Sequence, residues 1–156
     1  MAFSQDMLET MVGWCRDSLE LAQERREARA RFFGDDDPTP IKHWPGAEEV
    51  SSRERRFLAY FLFNWSLSLG ETPAELCAKR LYQGSTRTEV LAAVSGARFV
   101  FAVVQNVSGR DISLAVEDEQ FRLRHVRWAA TLHRHDAVAA YLVPVRHGLS
   151  RWGLAG

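Results

Sequence analysis

Two linked segments decide the fold: Glu54-Arg-Arg-Phe-Leu-Ala-Tyr-Phe-Leu-Phe-Asn-Trp-Ser-Leu67 and, just after it, Gly70-Glu-Thr-Pro-Ala-Glu75. The first predicts a helix that is apolar on nearly every side, which is typical of a central helix packed on several elements. In the second, Thr72 and Glu75 have the spacing of a capping box, with proline at the first helical position. The pair therefore predicts a buried helix joined by a tight junction to a second helix.

Further helices are predicted on both sides of this pair. Residues 4–33 carry apolar side chains every three or four positions, which predicts one long helix with a narrow apolar stripe. The spacing of Ser51 and Glu54 predicts the start of the central helix. The segment Thr86-Arg-Thr-Glu89 predicts the start of a short helix that ends at Gly96. The residues of the N-terminal stripe are Leu8, Met11, Cys15, Leu19 and Ala22.

After Gly96 the pattern changes to short β-branched and aromatic runs separated by turn residues, which predicts antiparallel strands. The predicted strands include Arg98–Val104, Ile112–Val116, Phe121–Leu123 and Val138–Val145. The expected class is α+β: about four N-terminal helices, then a small curved antiparallel sheet or barrel of four to five strands.

We expect one domain over residues 1–156. Residues 1–45 would form an N-terminal helix and an acidic, proline-containing loop. Residues 46–96 would form a helical core, and residues 97–156 the antiparallel sheet. A length of 156 residues is ordinary for one domain with its own core.

Composition excludes some classes of protein. The chain has 20 basic and 20 acidic side chains, so no overall field attracts nucleic acid or an acidic membrane. Its N-terminus lacks the basic start of a signal peptide, and its apolar runs are too short to span a bilayer. We therefore expect a cytoplasmic protein without membrane contact. The two cysteines, Cys15 and Cys77, are expected to be reduced core thiols.

The second half of the chain resembles an uncharacterised bacterial domain that is often found with a C-terminal SEC-C zinc motif. The resemblance covers about residues 50–156 and implies the same helical-plus-β fold, but it implies no catalytic residue. Residues 1–156 contain two cysteines and no cysteine-rich tail, so zinc binding through that motif is not carried over to them. The segments that carry the resemblance are Arg56-Phe57, Phe61-Leu-Phe63, Gly70-Glu-Thr-Pro-Ala-Glu75, Arg98-Phe-Val-Phe101, Ile112-Ser-Leu114, Asp136-Ala-Val-Ala-Ala-Tyr-Leu-Val-Pro144 and Trp152-Gly-Leu-Ala-Gly156.

A basic C-terminal face is the first candidate site. Residues 121–156 hold six arginines and one acid, Asp136, and this imbalance predicts a local basic patch. Arginine beside aromatic residues on a small sheet is typical of single-strand nucleic-acid surfaces, and it also fits an ordinary solvated sheet face. The candidate partner-binding residues are Arg122, Arg124, Arg127, Trp128, Arg134, Arg146, Arg151 and Trp152.

A late group of histidines is the second candidate site. His133-Arg-His-Asp136 would place two imidazoles on one side of a strand, as some metal sites do. A third ligand would have to come from His125 or His147. The alternative is an exposed polar hairpin that binds nothing.

The function that the sequence favours is a non-enzymatic interaction module that binds a protein partner, or else nucleic acid, through its sheet and basic face. No cofactor is expected. Motifs for nucleophilic hydrolases, P-loops, dinucleotide sites and H-E-x-x-H zinc sites are missing from the sequence. A metal-dependent hydrolase or nuclease that uses the late histidines is the alternative. A third possibility is oligomerisation through the stripe of the N-terminal helix.

Overall fold

The structure, a computed structural model, describes residues 3–36, 47–124, 126, 129–147 and 150–155, and the side chains of residues 3–35, 53–124, 126 and 129–144. Within these residues the chain forms five α-helices and a five-stranded antiparallel sheet. The predicted α+β class with a curved sheet is confirmed. The helices are α1 (Gln5–Asp17), α2 (Ala22–Phe33), α3 (Ala47–Asn64), α4 (Pro73–Leu81) and α5 (Gly84–Ser95). The strands are β1 (Arg98–Ser108), β2 (Asp111–Val116), β3 (Glu119–Leu123), β4 (Ala137–His147) and β5 (Ser150–Ala155).

The strand order in the sheet is β3-β2-β1-β4-β5, and every neighbouring pair is antiparallel. Tight turns join β1 to β2 and β2 to β3, whereas the chain between β3 and β4 passes to the other side of β1. The outermost strands, β3 and β5, approach each other. The sheet is therefore curled into a half-barrel with an inner and an outer face.

Strand β4 separates two hydrophobic cores. Leu142 points to the inner face of the sheet, where it packs with Val104, Leu114 and other side chains of the curled sheet. Tyr141 and its neighbour Val143 point to the outer face and join the helical core. Because alternate residues of a strand face opposite sides, a strand between two cores must be apolar almost throughout. This explains the apolar run that predicted β4.

Helix α3 is the central element of the helical core, as its sequence predicts. Phe57, Phe61 and Leu62 are fully buried, and the helix packs against α1, α2, α4 and β4. The helix begins at Ala47, four residues before the predicted start at Ser51. The spacing of Ser51 and Glu54 is therefore not a capping box, because both residues lie inside the helix.

The junction after α3 follows its sequence signal. The Thr72 backbone N–H donates to Glu75 Oε2 at 2.8 Å, and the Glu75 backbone N–H donates to Thr72 Oγ1 at 3.3 Å. This reciprocal capping box starts α4, as predicted. The next helix, α5, begins at Gly84, earlier than the start predicted at Thr86, and ends at Gly96 as expected.

The single helix predicted over residues 4–33 is wrong. The chain leaves the helix after Asp17 and starts α2 at Ala22. Arg25 stabilises the break, because its Nη1 donates to the carbonyl oxygens of Cys15 at 2.8 Å and Ser18 at 3.1 Å. These are carbonyls that the end of a helix leaves without intrahelical partners. The predicted stripe ran through Leu19, which lies in the break and is 90% exposed.

The rest of the N-terminal stripe belongs to the protein's own core. Leu8, Met11 and Cys15 are buried against the other helices. The stripe of α1 is therefore not a free surface for oligomerisation. On α2, Arg26, Glu27 and Arg31 are exposed, whereas Arg29 makes two bonds of 2.8 and 2.7 Å to the Glu54 carboxylate on α3.

The two cysteines are free thiols buried between α1 and α4, as predicted. Cys15 Sγ lies 3.8 Å from the carbonyl oxygen of Pro73. A hydrogen bond with Cys77 and burial both raise the pKa of the Cys15 thiol. A buried, protonated thiol is a poor nucleophile, so this pair is structural.

We expect stability to fall as pH rises above 9.0, the ordinary pKa of the Cys15 thiol. Below that pH the thiol is protonated in both states and has no effect. Above it, the unfolded chain releases a proton that the folded chain retains, which favours unfolding by about 1.4 kcal/mol per pH unit. Urea unfolding between pH 8 and 10 measures this slope. Cys15→Ala should flatten it, and equal slopes in both proteins would refute the assignment.

A second prediction concerns the contact between the end of α5 and β4. A Cβ added at Gly96 would lie 2.8 Å from Pro144 Cγ, whereas one added at Gly13 inside α1 would meet nothing within 4 Å. We expect Gly96→Ala to lower the free energy of unfolding by about 1–3 kcal/mol through overpacking. Gly13→Ala should raise it by about 0.5–1 kcal/mol. Urea unfolding of both variants tests this, and effects of the same sign would contradict it.

Candidate functional site

The predicted basic face is only partly described. Phe121 and Leu123 of β3 point to the inner core, and Arg122 points to the exposed outer side, as the alternation predicts. Arg124 lies 3.9 Å from the Asp111 carboxylate, and this ion pair offsets its charge. Arg134 is exposed in the turn before β4. Arg127 and Trp128 lie outside the described residues, as do the side chains of Arg146, Arg151 and Trp152.

The histidine segment forms a turn rather than part of a strand. His135 has a positive φ of 76°, and its backbone N–H donates to the Val104 carbonyl at 2.7 Å. The Asp136 carboxylate accepts the His133 backbone N–H at 2.6 Å and lies 3.7 Å from His133 Nδ1. These contacts close the turn. The prediction that both imidazoles lie on one side of a strand is therefore wrong.

The metal hypothesis is not supported where the structure describes the chain. No group of three or more histidine, cysteine, aspartate or glutamate side chains able to hold a metal occurs among the described residues. The candidate third ligands, His125 and the side chain of His147, lie outside those residues. The proposal of a metal site that includes one of them remains a prediction.

The outer face of β1 carries exposed apolar side chains that the sequence analysis did not select. Phe101 is 75% exposed, Phe99 50% and Val103 44%. Their neighbours Val100, Ala102 and Val104 point inward and are buried. Two phenyl rings and a valine in adjacent outward positions form an unusual surface, because soluble proteins expose few contiguous large apolar groups.

The strands on either side leave Phe101 and Val103 uncovered. On β4, Ala139 lies opposite Phe101 and Ala137 opposite Val103. On β2, Ala115 lies opposite Val103. A methyl group cannot cover a neighbouring ring, so the rings project above the sheet. We call the surface formed by Phe99, Phe101, Val103, Ala137 and Ala139 the aromatic face.

A cleft of about 420 Å³ lies beside the aromatic face, where α2 and α3 meet the sheet. Phe99 contributes to both surfaces, because the centroid of its ring lies 5.0 Å from the ring centroid of Phe101 and 5.2 Å from that of Tyr141. On the helical side, the ring centroids of Phe32 and Tyr60 lie 5.0 Å apart. The cleft is lined by Phe32, Arg56, Ala59, Tyr60, Asn64, Phe99, Ala139, Ala140 and Tyr141.

Three polar side chains of α3 border this apolar cleft. Arg56, Tyr60 and Asn64 are spaced four residues apart, so they lie on one face of the helix. None of them forms a hydrogen bond or an ion pair within the part of the chain that the structure describes. Apolar walls beside a few polar groups are typical of ligand-binding sites.

Tyr141 forms the floor of the cleft. It is only 7% exposed, and its ring packs 5.2 Å from that of Phe63 on α3. Burial raises the pKa of Tyr141, and the neighbouring Tyr60 raises it further. The phenol is therefore neutral at physiological pH, so the floor of the cleft carries no charge.

Comparison with protein-family models, with curated proteins and with solved structures finds no match. The site must therefore be interpreted from its own geometry. In the described part of the chain, no helix is long and apolar enough to cross a membrane.

We expect the aromatic face to contribute little to stability. Phe101→Thr keeps a strand-favouring residue at an exposed position and should change the free energy of unfolding by less than about 0.5 kcal/mol. Tyr141→Thr on the same face removes a buried ring and should cost about 3 kcal/mol. Urea unfolding of the two variants makes the comparison. A large loss from Phe101→Thr would show that the ring is part of the core.

Proposed function

We propose that the protein is a non-enzymatic binding module whose aromatic face docks an apolar segment of a partner protein. The observation that carries the proposal is the exposure of Phe99, Phe101 and Val103 on one strand, where the residues opposite Phe101 and Val103 on β4 are alanines that do not cover them. Aromatic residues dominate the energy of protein interfaces because they bury a large area. Their exposure is unfavourable in water unless a partner covers them.

The charges around the aromatic face favour a protein over a nucleic acid as the partner. The outward positions nearest to it on β2 are Ser113 and Ala115, both neutral, and the outward positions of β3 beside them are Gln120 and Arg122. Two exposed rings on adjacent outward positions of a strand can also stack bases, as in single-strand binding sheets. Such surfaces combine the rings with cations that neutralise phosphates. On these outward positions the cation is Arg122, which lies two strands away from Phe101, so the rings and the cation are not adjacent.

The proposal does not depend on the predicted basic residues, although one of them, Arg122, fits it. Arg122 projects from the same outer face of the sheet, two strands away from β1. Arg122 would therefore lie at the rim of the interface with a partner that covers the aromatic face. Charges at the rim of an interface affect the orientation and association rate of the partner more than its affinity. The resemblance to the SEC-C-associated domain and the cytoplasmic location remain predictions that this proposal does not need.

We expect Phe101→Thr to weaken partner binding at least about tenfold, because it removes a central aromatic anchor. The test is quantitative affinity capture from native lysate with wild-type protein, Phe101→Thr and Leu19→Thr, each with and without nuclease. Leu19 is a matched control, since it is 90% exposed but lies in the break between α1 and α2. Proteins retained by wild type and Leu19→Thr after nuclease, and lost with Phe101→Thr, would support the proposal.

Two outcomes of that experiment would overturn it. Equal capture by Phe101→Thr and wild type would place the partner elsewhere on the protein. Loss of all bound material on nuclease treatment would favour nucleic acid, and triple replacement of Arg122, Arg124 and Arg127 by alanine should then reduce the salt dependence of binding.

A separate measurement, the metal content of the purified protein, tests the alternative function. Stoichiometric transition metal would favour the metal-dependent hydrolase or nuclease.

A further inference from the structure

We infer that the cleft beside the aromatic face binds a small amphipathic monocarboxylate, with its apolar body between the rings and its carboxylate on Arg56. The cleft shares Phe99 and Ala139 with the aromatic face, but neither Phe101 nor Val103 lines it, so a variant at position 101 tests the docking surface without altering the cleft. It therefore goes beyond the proposed function and can fail independently of it.

The shape and lining of the cleft fit a small molecule with an apolar body. Its volume of about 420 Å³ lies within the range of about 300–1,000 Å³ that is usual for small-molecule sites. Phe32 and Tyr60 form the helical wall, and Phe99 and Tyr141 form the sheet wall. An alkyl chain or aromatic ring placed between these walls would lose its contact with water on both sides.

The charge of the cleft selects an anion. Arg56 is the charged residue among its described lining residues, and no acid lies among them. The other arginines nearby make different contacts: Arg29 pairs with Glu54, and its guanidinium and that of Arg53 lie over the ring of Phe33. Arg56 is thus available to a ligand, and a guanidinium binds a carboxylate through two parallel hydrogen bonds.

The number of cations sets the charge of the ligand. A single guanidinium balances one negative charge, so a monocarboxylate is matched and a doubly charged phosphate is not. An uncharged ligand would gain no charge-assisted hydrogen bond from the guanidinium of Arg56, which is exposed. Tyr60, about one turn from Arg56 on the same helix face, supplies a hydroxyl that can donate to the carboxylate, and Asn64 lies about two turns from Arg56.

The test is an NMR titration of the whole protein with three probes of equal chain length: octanoate, octanol and octylammonium. We expect octanoate to bind saturably at the cleft residues. Octanol should bind at least about tenfold more weakly, and octylammonium should not bind. Arg56→Gln should remove the preference for octanoate over octanol. Arg26→Gln, which removes the same charge from an exposed position of α2, should leave it unchanged.

Two further variants separate this site from the docking surface. Ala139→Phe fills the cleft from its partly exposed sheet side and should abolish octanoate binding, whereas Phe101→Thr should leave it unchanged. Equal binding of octanoate and octanol to the wild type would overturn the inference. Shifts confined to residues away from the cleft, or octanoate binding that survives Ala139→Phe, would do the same.

Discussion

The packing of α3 against one end of β4 is the constraint on which the rest of the structure depends. Tyr141 and Val143 join the helical core, while Ala137 and Ala139, earlier on the same outer face of the strand, lie beyond it. The helical layer therefore covers only part of the outer face of the sheet. The described inward residues of β1, β2, β3 and β4 form a separate core inside the curl of the sheet.

This partial coverage produces both proposed binding surfaces. Where the helices end, the outward residues of β1 stay in water, although their inward neighbours are buried. At the boundary, the rings of Phe99 and Tyr141 meet the side of α3 and leave the cleft open. The cleft and the aromatic face are thus adjacent for a structural reason, and Phe99 belongs to both.

Local signals in the sequence predicted much of the fold. The capping box at Thr72 and the alternation of Phe121 and Arg122 depend on neighbours within a few residues, so a single sequence reveals them. The break after Asp17 was missed because the apolar period continues through Leu19 into the next segment. Arg25 stabilises the break through its bonds to the carbonyl oxygens of Cys15 and Ser18, which depend on how the chain folds back.

The site was harder to predict because its exposure is a tertiary property. Phe99 and Phe101 favour a strand, but only the extent of the helical layer decides whether their side of the strand is covered. Ala139 and Ala137, which lie opposite Phe101 and Val103, were a usable signal, since a methyl group cannot cover a neighbouring ring. The histidine turn was missed because His135 adopts a positive φ, which sequence alone rarely reveals at a residue other than glycine.

The most direct test of the central claim is site-specific photo-crosslinking in cells, with a photoreactive phenylalanine analogue placed in turn at positions 101, 122 and 19. If the aromatic face docks a partner, position 101 should give a discrete crosslinked protein, position 122 a weaker one, and position 19 none. Efficient crosslinking at 19 or 122 with none at 101 would contradict the account. It would show that the exposed rings of β1 are not where the partner binds.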